Sequence, residues 1–289
     1  MVDFMRYKKI YFLVSGILLV PGVISLLVFG LKPSIDFTGG TILELRFEDN
    51  DQFSILNFQT EDEKVISAQK SGEGTYLLKI KTINEKEKNE IKNKLAEKFG
   101  EVEEIRFETV GPTLGRELLR KTLVAIVLAT VFILAYIAYQ FKDKMYGVCA
   151  ILAMFHDTLI LLGSFSLLGH FFGIEVDTLF VTAVLTTLSF SVHDTVVTYD
   201  SIRNAVKKNP KAKFSLLINL AINQTLIRNL NNSLTIIFML LALVLLGGQT
   251  IRWFVVALLI GTIAGTYSST FIATPLLLVW KSLEKRKDG

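Results

Sequence analysis

Two His–Asp pairs interrupt long apolar runs of this sequence: His156–Asp157 in MFHDTLILL and His193–Asp194 in TTLSFSVHDTVVTYDSIR. With Asp200 and Arg228 they are the ionisable groups that fall in or at the edge of predicted membrane depth. A charge placed there costs several kcal/mol, so such residues mark proton or ion paths, or paired contacts between helices. The chemistry they can do is proton exchange. Desolvation favours a neutral acid and a nearby guanidinium favours the carboxylate, so a single proton can make or break a contact between Asp194 and Arg228. His193, with an ordinary imidazole pKa of about 6.5, is placed to pass that proton on. Asp157 is a second station or a packing partner. Each proton that crosses with the membrane potential releases about 2.3 kcal/mol per 100 mV.

Plainer readings stand beside these. Asp200 and Arg203 are three apart and fit an interfacial ion pair. Arg228 also fits a snorkelling arginine at the interface, and His156–Asp157 a hydrogen-bonded polar pair between helices. The tripeptide HDT occurs at 156–158 and 193–195, which chance alone can produce. A metal site built from His156, Asp157, His193 and Asp194 lacks an HExxH motif or any comparable ligand spacing.

The elements that must hold these groups are membrane spans. The chain has 289 residues, of which 51% are hydrophobic, and its mean hydropathy of +0.47 is too high for an ordinary soluble domain. Apolar runs, the third and fourth interrupted by the His–Asp pairs, mark spans at 10–30, 122–140, 145–168, 178–200, 229–247 and 253–279. The first is too long for a signal peptide and carries no A-x-A site, so it reads as an uncleaved anchor. At about 1.5 Å per residue, Asp194 lies roughly 24 Å from the outer end of span four and Arg228 roughly 28 Å from that of span five. The two are level on antiparallel neighbours.

Six spans put both termini on one side. With residues 1–9 and 280–289 cytoplasmic, the short inner segments hold Arg6, Lys8, Lys9, Lys142, Lys144 and the basic loop of 201–228, while the short outer loops hold only Arg252. The net charge of +4 is explained by these cations, and nucleic acid is not an expected partner. Cys149 is the single cysteine, which excludes an intramolecular disulfide.

Residues 31–121 form a polar outer domain. TILELRF alternates as a strand, VISAQKSGEGTYLLKIK reads as a hairpin turning near 72–74, 84–99 as a charged helix stopped by Gly100, and EVEEIRFETV as a last strand. No helix is evident in DNDQFSILNFQTEDE. Asp36, Gly39 and Gly40 in IDFTGG, and Gly111 and Gly115 in VGPTLG, stand where this domain joins spans one and two, which suits hinges or tight turns. Gly261, Gly265, Ser268 and Ser269 in span six read as small residues for close helix packing.

IDFTGG, VGPTLGREL, HDTLILLGSFSL, SFSVHDTVVTYDSIRN, INQTLIRN and GGQTIRWFVVALLIGTIAGTYSSTFIATPLL occur in this order along the chain. Together they resemble the SecF family, the smaller membrane subunits of bacterial SecDF protein-export complexes within the resistance–nodulation–division superfamily. The resemblance implies a polytopic α-helical membrane protein with six transmembrane helices and an extracytoplasmic α+β, ferredoxin-like domain between helices 1 and 2. It implies a bacterial cytoplasmic membrane location, SecD and the SecYEG channel as partners, membrane lipid around it, and an unfolded secretory preprotein as client on the outer side. It implies no enzyme activity and no cofactor, the proton gradient being the drive. It makes Asp194 and Arg228 the proton-linked pair and places the span-three aspartate at Asp157. The family usually has GYSIND where this chain has SFSVHD, so Ser189, Phe190 and His193 depart from it. Asn229 and Asn232 likewise stand where threonines are usual. A half-unit of a proton-coupled small-solute exporter from the same superfamily is one alternative, and an intramembrane metal-dependent hydrolase is another.

Overall fold

The computed structural model describes residues 2–47, 65–72 and 74–287. It divides into two compact units: Met1–Lys32 with Ala125–Gly289, and Pro33–Val124.

The smaller unit is an antiparallel sheet with a helix. Its strands are β1 (Gly40–Phe47), β2 (Val65–Gly72), β3 (Thr75–Ile80) and β4 (Val102–Val110), in the order β2-β3-β1-β4. That order is the one expected of a ferredoxin-like sheet. The stretch DNDQFSILNFQTEDE lies outside the described residues. Alternation decides which face is buried. Leu43, Leu45 and Phe47 of β1 and Tyr76, Leu78 and Ile80 of β3 make one apolar face, covered by Ile91 and Leu95 of a charged helix. Two short or long helices belong to this unit, α2 (Ile35–Thr38) and α3 (Glu85–Phe99). α3 starts on a capping box in which Asn84 and Glu87 satisfy each other's backbone N–H.

Two of the glycines in IDFTGG and VGPTLG, Gly39 and Gly115, are close-approach positions. Gly39 has φ +75, and a Cβ there would lie 2.8 Å from Cα of Pro112. Gly115 is helical, and a Cβ on it would lie 2.9 Å from the Gly39 backbone N. No side chain fits either gap without moving backbone.

The larger unit is helical. Among the described residues, six helical stretches, the last running from Gln249 to Glu284, are long and apolar enough to cross a membrane. Its elements are a 3-10 turn (Phe4–Tyr7), α1 (Lys8–Val28), the part of α4 (Pro112–Gln140) from Ala125 onward, α5 (Lys144–Phe172), α6 (Thr178–Lys208), α7 (Phe214–Leu246), α8 (Gln249–Phe271) and α9 (Ala273–Lys287). Asp143 and Asp177 cap α5 and α6, accepting from the backbone N–H of Met145 and Phe180.

Helix and hydrocarbon run are different quantities, and several helices outrun the apolar stretches. α4 begins at Pro112, a residue favoured at a first helical position. Residues 214–228, expected as part of a loop, are the first turns of α7. The last span is two helices that break at Ile272. Pro275 supplies the reason: it has no N–H for the Phe271 carbonyl and its ring crowds that carbonyl.

Small residues let the inner helices close on each other. A Cβ on Gly163 of α5 would lie 2.6 Å from Cα of Gly22 in α1. Ser25 and Ser166 then bond at 2.8 Å, and Ser166 is also 2.7 Å from the Gly30 carbonyl. The Tyr199 ring is fully buried and its hydroxyl donates to the Ala273 carbonyl at 2.7 Å.

Candidate functional site

One face of α6 builds the polar centre of the helical unit. Thr187, Ser191, Asp194, Thr195, Thr198 and Tyr199 are all buried and recur at helical spacing of three and four. His193 falls between them in sequence, and so it lies on another face. It is exposed, while Asp194 beside it is only 3% exposed.

The first carboxylate, Asp157 of α5, is surrounded by donors. Its Oδ2 accepts from Ser191 Oγ of α6 and from Ser268 Oγ of α8, each at 2.5 Å. Its Oδ1 lies 2.9 Å from His156 Nδ1. The other ring nitrogen of His156 lies 2.9 Å from Ser15 Oγ in α1. A carboxylate only accepts, so His156 Nδ1 carries the hydrogen toward it. Four helices are tied by this chain of groups, and bonds to a charged acceptor are the short, strong kind. Ser268 is therefore more than a small packing residue.

The second carboxylate is arranged differently. Asp194 Oδ2 is buried with no hydrogen-bond partner among the described residues, and Thr195 Oγ1 and Ser233 Oγ share that condition. A turn further along α6, Thr198 Oγ1 accepts from Asn229 Nδ2 of α7 at 3.2 Å. A buried polar group left unpaired costs roughly 1–3 kcal/mol, so such atoms point to a function or to a missing partner.

Arg228, expected level with Asp194, forms no ion pair with it. It is exposed and lines a cavity of about 490 Å³ between α6 and α7, shared with Asp200, Ser201, Lys208, Gln224 and Thr225. Asp200 instead reaches Arg203 at 3.4 Å. The start of α7 is held by the chain's own beginning. Asn219 Oδ1 accepts from the Met5 N–H at 3.1 Å and Asn223 Oδ1 from the Val2 N–H at 3.3 Å, while Asn219 Nδ2 donates to Asp3 at 2.7 Å.

The predicted site residues thus fall into three places. Asp157 and His156 sit in a satisfied network, Asp194 sits buried beside it on α6, and Arg228 and Asp200 line the cavity with Arg203 at its edge. His193, next to Asp194 in sequence, lies on the exposed side of α6. The four groups weighed as a metal site are not assembled, and among the described residues no three His, Cys, Asp or Glu side chains group to hold an ion. Sequence reasoning missed Ser15, Ser191 and Ser268. For Ser191 the available signal was its helical spacing, one turn before Asp194.

Comparison with known proteins gives the following. Residues 90–283 match the family described as protein export membrane protein SecD/SecF, C-terminal, and residues 24–51 match the SecD/SecF GG motif. Protein translocase subunit SecF of Thermobaculum terrenum is 41% identical, over 98% of this chain and 95% of its own. SecF of Anaerolinea thermophila is 37% identical, over 99% of this chain and 96% of its own. SecDF of Bacillus subtilis is 33% identical over 99% of this chain, which spans only 39% of that longer protein. The crystal structure of SecDF from Thermus thermophilus, a translocon-associated membrane protein, superposes with TM-score 0.86 at 32% identity, over 97% of this chain and 39% of that one.

Proposed function

The chain belongs to the SecD/SecF family of protein export membrane proteins, and from that premise we propose that it is the SecF-type subunit of a SecDF complex in the bacterial cytoplasmic membrane. In this reading both termini are cytoplasmic and the sheet unit is on the outer side. It uses the proton-motive force to promote late steps of preprotein passage through the SecYEG channel. It is not an enzyme, and the proton gradient replaces a cofactor. Support for a SecD partner comes from the SecDF relatives, whose length exceeds this chain and which match it over one part.

The observation that carries the proton role is the buried, unpartnered Oδ2 of Asp194. An isolated buried carboxylate is a place where a proton is taken up in exchange for the charge. Arg228, with a cavity around it, is the natural second position of the switch. In one state Asp194 is neutral and Arg228 lies in the cavity. In the other Asp194 has released its proton and the guanidinium turns toward it. Asp157 has three donors already, so its role here is to hold α5, α6 and α8 in register beside the moving group. A proton-driven change of this kind needs a bistable element, and the α6–α7 pair with its cavity supplies one.

The test is proton-dependent stimulation of export by Asp194→Asn and Arg228→Met in membranes that contain SecD and the channel. The reading expects stimulation to vanish in both, with insertion unchanged. Wild-type stimulation in both would remove the relay.

A further inference from the structure

A second cavity, of about 290 Å³, opens at the end of the helical unit where α4 meets α5. Its walls bring together Lys142 of the α4–α5 connection, Arg203 and Lys207 of α6, and Lys281 of α9. Against these four cations stands one carboxylate, Asp143, whose Oδ1 already accepts from the Met145 N–H at 2.9 Å. Phe141, Tyr146 and Phe214 complete an apolar side, and Lys281 Nζ lies 4.1 Å from the Phe214 ring centroid.

Arg203 is loosely held. Arg203 reaches Asp200 at 3.4 Å and the Gln140 carbonyl at 3.5 Å, both long for a guanidinium. The positive-inside bias explains cations on this side of the membrane. It does not explain why three separate elements aim them around one cavity that also has aromatic walls. A phosphate ester with an acyl or glyceryl neighbour fits that lining, with its charge among the cations and its apolar part on the rings. Basic pockets between spans on the cytoplasmic side are suited to such headgroups.

We propose that this cavity binds the phosphate headgroup of an anionic membrane phospholipid. The proposal rests on the orientation reading above only in placing the cavity at the inner leaflet. The phosphate then draws Arg203 away from Asp200, which lines the neighbouring cavity with Arg228, so lipid occupancy reaches the relay.

The experiment is native mass spectrometry of the purified full chain in detergent, titrated with phosphatidylglycerol, with phosphatidylcholine and with inorganic phosphate. Wild type is expected to retain phosphatidylglycerol and not phosphatidylcholine. The double variant Lys207→Gln/Lys281→Gln should bind phosphatidylglycerol about tenfold less or weaker still. Lys211→Gln/Lys213→Gln, outside the cavity, should bind as wild type, and unchanged thermal unfolding of both variants guards against misfolding. Equal retention by the Lys207/Lys281 variant, or equal affinity for phosphatidylcholine, overturns the proposal. Saturable inorganic phosphate binding without preference among lipids overturns the lipid source and assigns the cavity to a soluble phosphate anion. No gradient or export partner enters this assay, so its failure leaves the relay untouched, and failure of the relay mutants leaves the lipid site untouched.

Discussion

The tripeptide HDT stands twice in this protein, on α5 at 156–158 and on α6 at 193–195, and the two copies have opposite surroundings. In the first every polar group is engaged: His156 bonds at both ring nitrogens, Asp157 accepts from two serines, and Thr158 donates to the Met154 carbonyl at 2.9 Å. In the second His193 is exposed, while Asp194 Oδ2 and Thr195 Oγ1 are buried without partners among the described residues. Identical residues therefore meet different environments, and the proposed roles differ with them. What separates them is which serines the neighbouring helices present, since Ser15, Ser191 and Ser268 all converge on the first copy and none on the second. A satisfied buried carboxylate fixes helices in place. An unsatisfied one is free to exchange a proton.

This contrast can be broken by exchanging function for stability. The largest effect is expected for Asp194→Asn. It removes no hydrogen bond from Oδ2, so thermal unfolding in detergent should be nearly unchanged, while export stimulation by the proton gradient is lost. Asp157→Asn should do the reverse. Weakening two charge-assisted bonds costs roughly 2–3 kcal/mol, read as a lowered unfolding midpoint, with part of the export stimulation kept. Ser268→Ala removes one donor from Asp157 and should cost about 1.5 kcal/mol by the same measurement. The smallest effect is expected for His193→Asn. An exposed side chain without bonds contributes within about 0.5 kcal/mol, and the pH profile of export should match wild type, because His193 and Asp194 sit on different helix faces. A shifted profile would restore His193 to the relay that its sequence position suggested.

Much of the architecture was legible beforehand. Apolar runs long enough to cross a bilayer mark the spans even where a His–Asp pair interrupts them, and period-two alternation in TILELRF and TYLLKI marks strands of the sheet. The helix ends were less legible. The turns at 214–228 bury Ile218, Ala221 and Ile222 in the core, and Asn219 and Asn223 accept from backbone N–H groups at the chain's beginning, more than two hundred positions away, partners that no local window can see. The break at Ile272 was readable from Pro275 but was hidden inside a uniformly apolar run. At the site, the residue types were plain and the partners were not. Depth counting brings Asp194 and Arg228 level, yet depth carries no information about rotation, and rotation sets Arg228 into the cavity lined by Asp200. Serines in apolar runs look like packing residues until a facing helix supplies an acceptor.

In the proposed relay Asp194, rather than Asp157, takes up and releases the proton. Infrared difference spectroscopy of the reconstituted complex across a pH step reads this directly, through the carbonyl stretch that a carboxyl group shows only when protonated. A pH-dependent band present in wild type and in Asp157→Asn, and absent in Asp194→Asn, is the predicted result. A band that survives Asp194→Asn and disappears in Asp157→Asn would contradict the account.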